Sequence, residues 1–160
     1  MAVRKIVEKG DEVLRKKSFE VTDFGERTHQ LLDDMYDTLV KADGAGLAAV
    51  QVGVLRRIFL VIDGESVRDG VIEFINPEII SKSGEQTSVE GCLSVPGKAG
   101  QVTRPNYVKV KALNEDMEEI IVEGEELMAR ALCHEIDHLN GVVYVDLVEG
   151  ELYTVPDVEE

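Results

Sequence analysis

The sequence predicts an α+β fold: a single compact domain in which small, mostly antiparallel sheets surround a central helix. Two segments, residues 26–42 and 125–140, carry apolar residues at helical spacing. Between them, short runs of β-branched and aromatic residues alternate with turn residues. The chain has 160 residues and no repeat or linker-like tract, so we predict one domain over 1–160, of which 150–160 is an acidic C-terminal tail.

The first helix is predicted over residues 26–42. Its apolar residues recur three and four positions apart, so one face should pack on a core. It should stop near Asp43-Gly44. The following segment, GAGLAAVQVG at residues 44–53, favours neither helix nor strand, and we interpret it as a close-packed loop whose backbone can approach another group.

The middle of the chain is predicted to be β structure, because apolar runs are bounded there by turn residues. The predicted strands cover residues 57–63, 71–76, 77–82, 107–113 and 119–123. Asp63-Gly64 is the turn signal after the first of these strands. Asn114-Glu115-Asp116 separates the last two, which predicts a hairpin.

The second helix, predicted over 125–140, carries the motif HEIDH at residues 134–138. Two histidines four positions apart on a helix project from the same side, so the imidazoles of His134 and His138 can bind one ion. Glu135 is turned about 100° from His134 but can still reach a water beside that ion, where it would act as a base. The alternative is a pair of histidines at the polar edge of the core.

A catalytic metal site of this kind needs a third protein ligand. Cys133 and Asp137 are neighbours of the histidines on the helix, but they point in other directions. Cys92 lies in EGCLSVP, where glycine permits close approach and proline can end a strand, so its thiolate could meet the helix from outside. Cys92 is therefore the favoured third ligand, with an ordinary buried cysteine as the alternative.

Charge and hydropathy argue against several classes of protein. No apolar run is long enough to span a bilayer, and the N-terminus lacks a secretory signal, so we expect no membrane association and a cytoplasmic location. In that compartment Cys92 and Cys133 should stay reduced. The net charge of −15 argues against direct nucleic-acid binding, and no Lys or Arg follows Arg130.

Three segments together resemble the motifs of the peptide deformylase family. They are GAGLAAVQ at residues 44–51, EGCLS at 90–94 and HEIDH at 134–138. The N-terminal stretch VEKGDEVLRKKSFEVTDF is also similar to a deformylase N-terminus, so the resemblance covers nearly the whole chain. It implies an enzyme that removes the formyl group from the N-terminal formyl-methionine of newly synthesised polypeptides and releases formate.

The resemblance also implies roles for individual residues. Cys92, His134 and His138 would bind one divalent metal ion, and Glu135 would be the general base and acid. We expect Fe²⁺ in the cell, with Zn²⁺, Ni²⁺ or Co²⁺ able to substitute, because thiolate and imidazole ligands suit all four.

Other positions are assigned to the substrate by the same resemblance. The side-chain amide of Gln51 and the backbone N–H of Leu93 would stabilise the oxyanion. Gly46 and Gly91 are assigned to substrate binding.

The first substrate residue, methionine, should occupy an apolar pocket. Leu127 and Ala131 lie on the metal-facing side of the second helix and are candidates for its wall, with core packing as the alternative. Arg130, four positions before His134, is an unexpected neighbour for such a pocket. We expect its stem to cover apolar surface and its guanidinium to reach solvent or an acidic residue.

Some features depart from the family's pattern. Many relatives have Pro at the position of Val50 and Gln at that of Cys133, but neither position is assigned a role, so we expect activity to survive. The basic C-terminal helix by which some relatives dock on the ribosome has no counterpart in this sequence, so any ribosome contact should use another surface. Two alternative functions are an HExxH metallopeptidase and an inactive deformylase-like metal-binding protein.

Overall fold

The chain is described by a computed structural model that covers residues 2–63 and 70–155. Its helices are α1 (Glu26–Ala42) and α2 (Leu127–Leu139). Its strands are β1 (Gly46–Ala48), β2 (Ile58–Ile62), β3 (Val71–Ser83), β4 (Gln86–Cys92), β5 (Val95–Arg104), β6 (Tyr107–Leu113), β7 (Glu119–Glu125) and β8 (Glu149–Thr154). Short 3-10 turns occupy Glu12–Arg15, Ala49–Val52 and Tyr144–Asp146.

The strands form two antiparallel sheets. The larger has the order β1-β2-β3-β6-β7, and the smaller has the order β4-β5-β8. Helix α2 packs on the larger sheet and also contacts β5 of the smaller one. A core forms where Phe59 and Phe74, stacked with ring centroids 4.5 Å apart, pack in one cluster with Leu132 and Ile136 of α2. The predicted α+β class is confirmed, and α2 lies at its centre.

Two predicted elements differ from the structure for one physical reason, which is pairing between distant segments. Residues 71–76 and 77–82 belong to one strand, β3, because its first half pairs with β2 and the rest with β6. A register shift between Ile75 and Glu78, with Asn76 at φ +52°, lets the strand continue through this change of partner. The predicted loop over 44–53 contains β1, because Gly46–Ala48 pairs with β2.

The C-terminal acidic segment begins as a strand. Glu149–Thr154 is β8 and pairs with β5, so the first part of the predicted tail is one edge strand of the smaller sheet. Residues 156–160, and Gly64 of the predicted Asp63-Gly64 turn, lie outside the described residues. None of the helices found in 2–63 and 70–155 is both long and apolar enough to cross a membrane.

Candidate metal centre and active site

Helix α2 and strand β4 bring three metal-binding side chains together. His134 and His138 project from the same side of α2, with ring centroids 4.9 Å apart. Cys92 is the last residue of β4, and its Sγ lies 3.3 Å from Nε2 of His138. One ligand atom from each of the three residues lies within 4.8 Å of the others. The three residues predicted as metal ligands therefore lie together, although Cys92 comes from strand β4 and the two histidines come from helix α2.

The chemistry of this trio fits a divalent metal ion. One thiolate and two imidazoles make a three-ligand set that leaves a coordination position open for a reactant. His138 is fully buried, and burial lowers its pKa well below the usual value, so the imidazole stays neutral and can act as a ligand.

Cys133 and Asp137, which directly precede the two histidines on α2, are not among the metal-binding residues. Burial raises the pKa of the Cys133 thiol to about 11, and its side chain packs in the core with Leu132 and Ile136. Asp137 Oδ2 accepts a hydrogen bond from Arg104 Nη1 at 2.5 Å. The thiol of Cys133 stays protonated, while the carboxylate of Asp137 is already paired.

Glu135 presents a buried carboxyl group beside the trio. Only 5% of the residue is exposed, and burial raises its pKa to about 7 against the opposing effect of His134. Its Oε2 lies against the backbone of β1, where a Cβ on Gly46 would come within 2.8 Å. Among the described residues, Oε1 has no hydrogen-bond partner. A carboxyl with a pKa near 7 and a free oxygen can take up and release a proton near neutral pH.

The side-chain amide of Gln51 has a fixed orientation. Its Oε1 accepts a hydrogen bond from the Ala48 N–H at 2.9 Å. Its Nε2 donates to Ser94 Oγ at 3.1 Å and approaches Cys92 Sγ at 3.5 Å. Because the oxygen is held by the backbone, the NH₂ group is directed toward the end of β4.

A cavity of about 420 Å³ opens in front of these groups. One side is lined by Gly44–Gly46, where the chain enters β1 of the larger sheet, and the other by Val89–Leu93, where β4 of the smaller sheet ends. Leu127, Arg130 and Ala131 of α2 complete the wall.

The alternative of core packing for Leu127 is wrong, because the residue is 74% exposed and forms the rim of the cavity. Ala131 also lines the cavity, while it packs on the core beneath. Val50 and Cys133 are both buried in that same core.

A buried ionic network that sequence reasoning missed supports His134. Nδ1 of His134 lies 2.9 Å from Glu90 Oε1, and both Glu90 oxygens accept hydrogen bonds from Arg104, at 2.8 and 2.9 Å. Burial alone would raise the pKa of Glu90, but Arg104 and His134 hold it at about 2, so Glu90 is ionised. The one signal in the sequence was the position of Glu90, two residues before Cys92.

Comparison with known proteins identifies the family. The family model described as polypeptide deformylase matches residues 3–151. The chain belongs to the polypeptide deformylase family. The peptide deformylase of Agathobacter rectalis is 57% identical over 155 residues, which are 97% of this chain and 96% of that protein. Peptide deformylase 1 of Clostridium acetobutylicum is 55% identical over 152 residues, which are 94% and 99% of the two chains.

Solved deformylase structures share this fold. The enzyme from Legionella pneumophila aligns with a TM-score of 0.89 at 44% identity, over 92% of this chain and 87% of that one. The enzyme from Thermotoga maritima aligns with a TM-score of 0.87 at 37% identity, over 94% and 100%. The resemblance drawn from three short motifs is thereby confirmed. Deformylases are metal-dependent, and in this chain Cys92, His134 and His138 form a group that could hold the ion.

Proposed function

We propose that this chain is a peptide deformylase that removes the formyl group from the N-terminal formyl-methionine of newly synthesised polypeptides and releases formate. The observation that carries the proposal is the meeting of a thiol, two imidazoles and a buried carboxyl beside one cavity between two sheets. Near-full-length similarity to peptide deformylases supports it.

The chain's own residues perform the proton transfers. Cys92, His134 and His138 would hold a divalent ion, which when bound supplies Lewis acidity that makes water more acidic and polarises a carbonyl. Glu135 accepts a proton from the attacking water as the oxygen of that water bonds to the formyl carbon. It then gives that proton to the α-amine as the C–N bond breaks. Formate and a free N-terminus are the products, and Glu135 returns to its starting state.

Negative charge that develops on the formyl oxygen needs fixed donors. We assign this role to the Nε2 group of Gln51 and the backbone N–H of Leu93. The Ala48 N–H holds the Gln51 amide in place, so its NH₂ needs no reorganisation as charge appears. Loss of one such donor typically raises the barrier by about 3 kcal/mol.

The two sides of the cavity fit an extended peptide. β1 is one edge strand of the larger sheet and β4 is one edge strand of the smaller sheet, so both can pair with added backbone. We assign Gly46 and Gly91 to that backbone contact. The methionine side chain would occupy the part of the cavity walled by Leu127 and Ala131.

The decisive experiment is formate release from formyl-Met-Ala-Ser, with the N-acetyl peptide as control. We expect release from the formyl peptide alone, and Glu135→Gln should lower kcat by about 10²-fold or more while the metal stays bound. Cleavage within the blocked control would instead indicate an HExxH metallopeptidase. A metal-loaded wild type that releases no formate would indicate an inactive metal-binding relative. Full activity of Glu135→Gln would refute the assigned base.

We propose Fe²⁺ as the metal in the cell. Ferrous iron is oxidised by air, whereas Ni²⁺ and Zn²⁺ are not, so the iron form purified without oxygen should lose activity faster in air than under argon. The same protein loaded with Ni²⁺ or Zn²⁺ is the control and should not show this difference. Equal half-lives of the iron form in the two atmospheres would contradict the prediction of air sensitivity.

We further propose that the enzyme meets its substrate in the cytoplasm, where polypeptides are synthesised. The net charge of −15 disfavours a direct grip on ribosomal RNA.

A further inference from the structure

Arg130 lies in the wall of the substrate cavity, yet its charge is turned into the protein. The residue is 5% exposed and sits one turn before His134 on α2. Its Nη1 donates to Glu90 Oε2 in a short hydrogen bond, and its Nη2 donates to the Val102 carbonyl at 2.9 Å. The expectation that its guanidinium reaches an acidic residue is met by Glu90.

Glu90 is held by two arginines that come from different elements. Arg104 of β5 divides its guanidinium between Glu90 and Asp137. Arg130 comes from α2, the helix that also carries His134, and both of these side chains contact the carboxylate of Glu90. Two guanidiniums and two carboxylates balance in charge, as a buried ionic cluster requires.

This arrangement bears on the distance between Cys92 and the two histidines of the metal centre. Glu90 precedes Cys92 on β4 by two residues, so whatever holds Glu90 against α2 also holds Cys92 near His134 and His138. Glu90 also accepts from Nδ1 of His134, which leaves Nε2 free to face the other ligands. Arg104 belongs to the same sheet as Glu90. Its contact with α2 is made through Asp137, so Arg104 does not hold the Glu90 carboxylate against that helix.

We propose that Arg130 is a positioning residue of the metal centre. It fixes Glu90 against α2, and through Glu90 it fixes the orientation of His134 and the separation of Cys92 from the two histidines. Because Arg130 also forms part of the cavity wall, it joins the binding site for the first substrate residue to the metal ligands. This inference rests on the proposed function only in that the site must bind a metal ion; it does not require that the protein be catalytically active.

The test is the affinity of the metal-free protein for Zn²⁺, measured by chelator competition. Arg130→Lys keeps the charge but loses the planar fork whose two nitrogens donate separately to Glu90 and to the Val102 carbonyl, and we expect 10- to 100-fold weaker binding. Arg4→Lys is the matched control, because Arg4 makes a similar paired contact with Asp34 of α1, a helix that carries none of the candidate metal ligands. It should bind Zn²⁺ within about threefold of wild type. Unchanged affinity in Arg130→Lys would overturn the proposal.

A double-mutant cycle separates positioning from a general loss of structure. If Arg130 acts through Glu90, Arg130→Lys should cause little further loss of affinity in a Glu90→Gln background. An undiminished loss in that background would overturn the proposal. If Arg130→Lys does not fold, the test is an NMR titration of wild-type protein labelled with ¹⁵N-arginine. Zn²⁺ should then shift the side-chain resonance of Arg130. An unchanged resonance would refute the coupling between Arg130 and the metal centre. Formate release by the wild type is measured separately, so failure of the proposed function remains distinguishable.

Discussion

Position 46 requires glycine because of its neighbours rather than its backbone angles. A Cβ there would lie 2.8 Å from Glu135 Oε2 and 3.0 Å from the Leu60 carbonyl oxygen. The Leu60 carbonyl belongs to β2, which pairs with β1 and cannot withdraw. The carboxyl of Glu135 would therefore have to move. The role of this glycine is to let a strand edge and a buried base occupy adjoining space.

Gly46→Ala should accordingly impair catalysis by displacing Glu135. We expect kcat for formyl-Met-Ala-Ser to fall by about 10²-fold, as expected when a general base is misplaced, while the protein still binds metal. Steady-state kinetics and metal analysis of the same preparation test this. Gly91→Ala is the comparison, because its Cβ would lie 3.5 Å from the Lys98 carbonyl, an ordinary contact, and would not touch Glu135. Since Gly91 is assigned to the substrate backbone, its substitution should raise KM and leave kcat nearly unchanged. Equal losses of kcat in the two variants would contradict this explanation.

At the scale of elements, the N-terminal segment is attached to α1 through Asp34. The Ala2 N–H and the Arg4 Nε each donate to this carboxylate at 2.9 Å, and Gln30 donates at 2.7 Å. Burial alone would raise the pKa of Asp34, but Arg4, the Ala2 N–H and Gln30 lower it to about 2. The ionised form is thus part of what holds residues 2–4 on the helix.

Asp34→Asn should destabilise the protein in a pH-dependent way. Since the folded-state pKa is depressed, the carboxylate contributes fully above the ordinary value near 3.8, and its contribution is lost as pH falls toward 2. Loss of charged hydrogen bonds should lower the free energy of unfolding at pH 7 by about 1–2 kcal/mol. Urea denaturation at pH 7 and under progressively acidic conditions tests this, with Asp37→Asn on the same helix as control. A deficit that persists unchanged at pH 2 would contradict the assignment.

At the scale of the whole molecule, the excess of acidic residues brings carboxylates close together. Glu73 on β3 is the clearest example among the described residues. Burial, followed by the neighbouring carboxyls of Glu115 and Asp33, raises its pKa to about 7. These neighbours come from the β6–β7 hairpin and from α1, so the repulsion exists only in the folded chain. A net charge of −15 makes such encounters hard to avoid.

Glu73→Gln should therefore stabilise the protein at alkaline pH. A raised folded-state pKa means that Glu73 favours folding below about 4.5 and that this benefit disappears as pH rises through about 7. The variant should unfold a few degrees above wild type at pH 8, and the gap should close at pH 4. Calorimetric melting at both pH values measures this, with exposed Glu78→Gln on the same strand as control. A variant less stable than wild type at pH 8 would refute the prediction.

The candidate site was only partly predictable from the sequence. His134, Glu135 and His138 belong to one helix, so their relative directions follow from helical periodicity. Cys92 was one of several possible third ligands until the resemblance of EGCLS to a deformylase motif selected it. Arg104 lies 14 residues from Glu90, and Arg130 lies 40 residues from it. No local pattern predicts that these three side chains meet.

The sequence by itself determined the helices, the β-rich middle and the family, because periodicity and short motifs are properties of neighbouring residues. Tertiary structure alone decided that residues 44–53 supply a strand edge, that β3 is continuous, and that Leu127 forms a rim rather than core. It also decided that Glu90 lies between two arginines and a histidine. Each of these depends on pairing or packing between segments far apart in the chain, where burial and hydrogen bonding outweigh local preference.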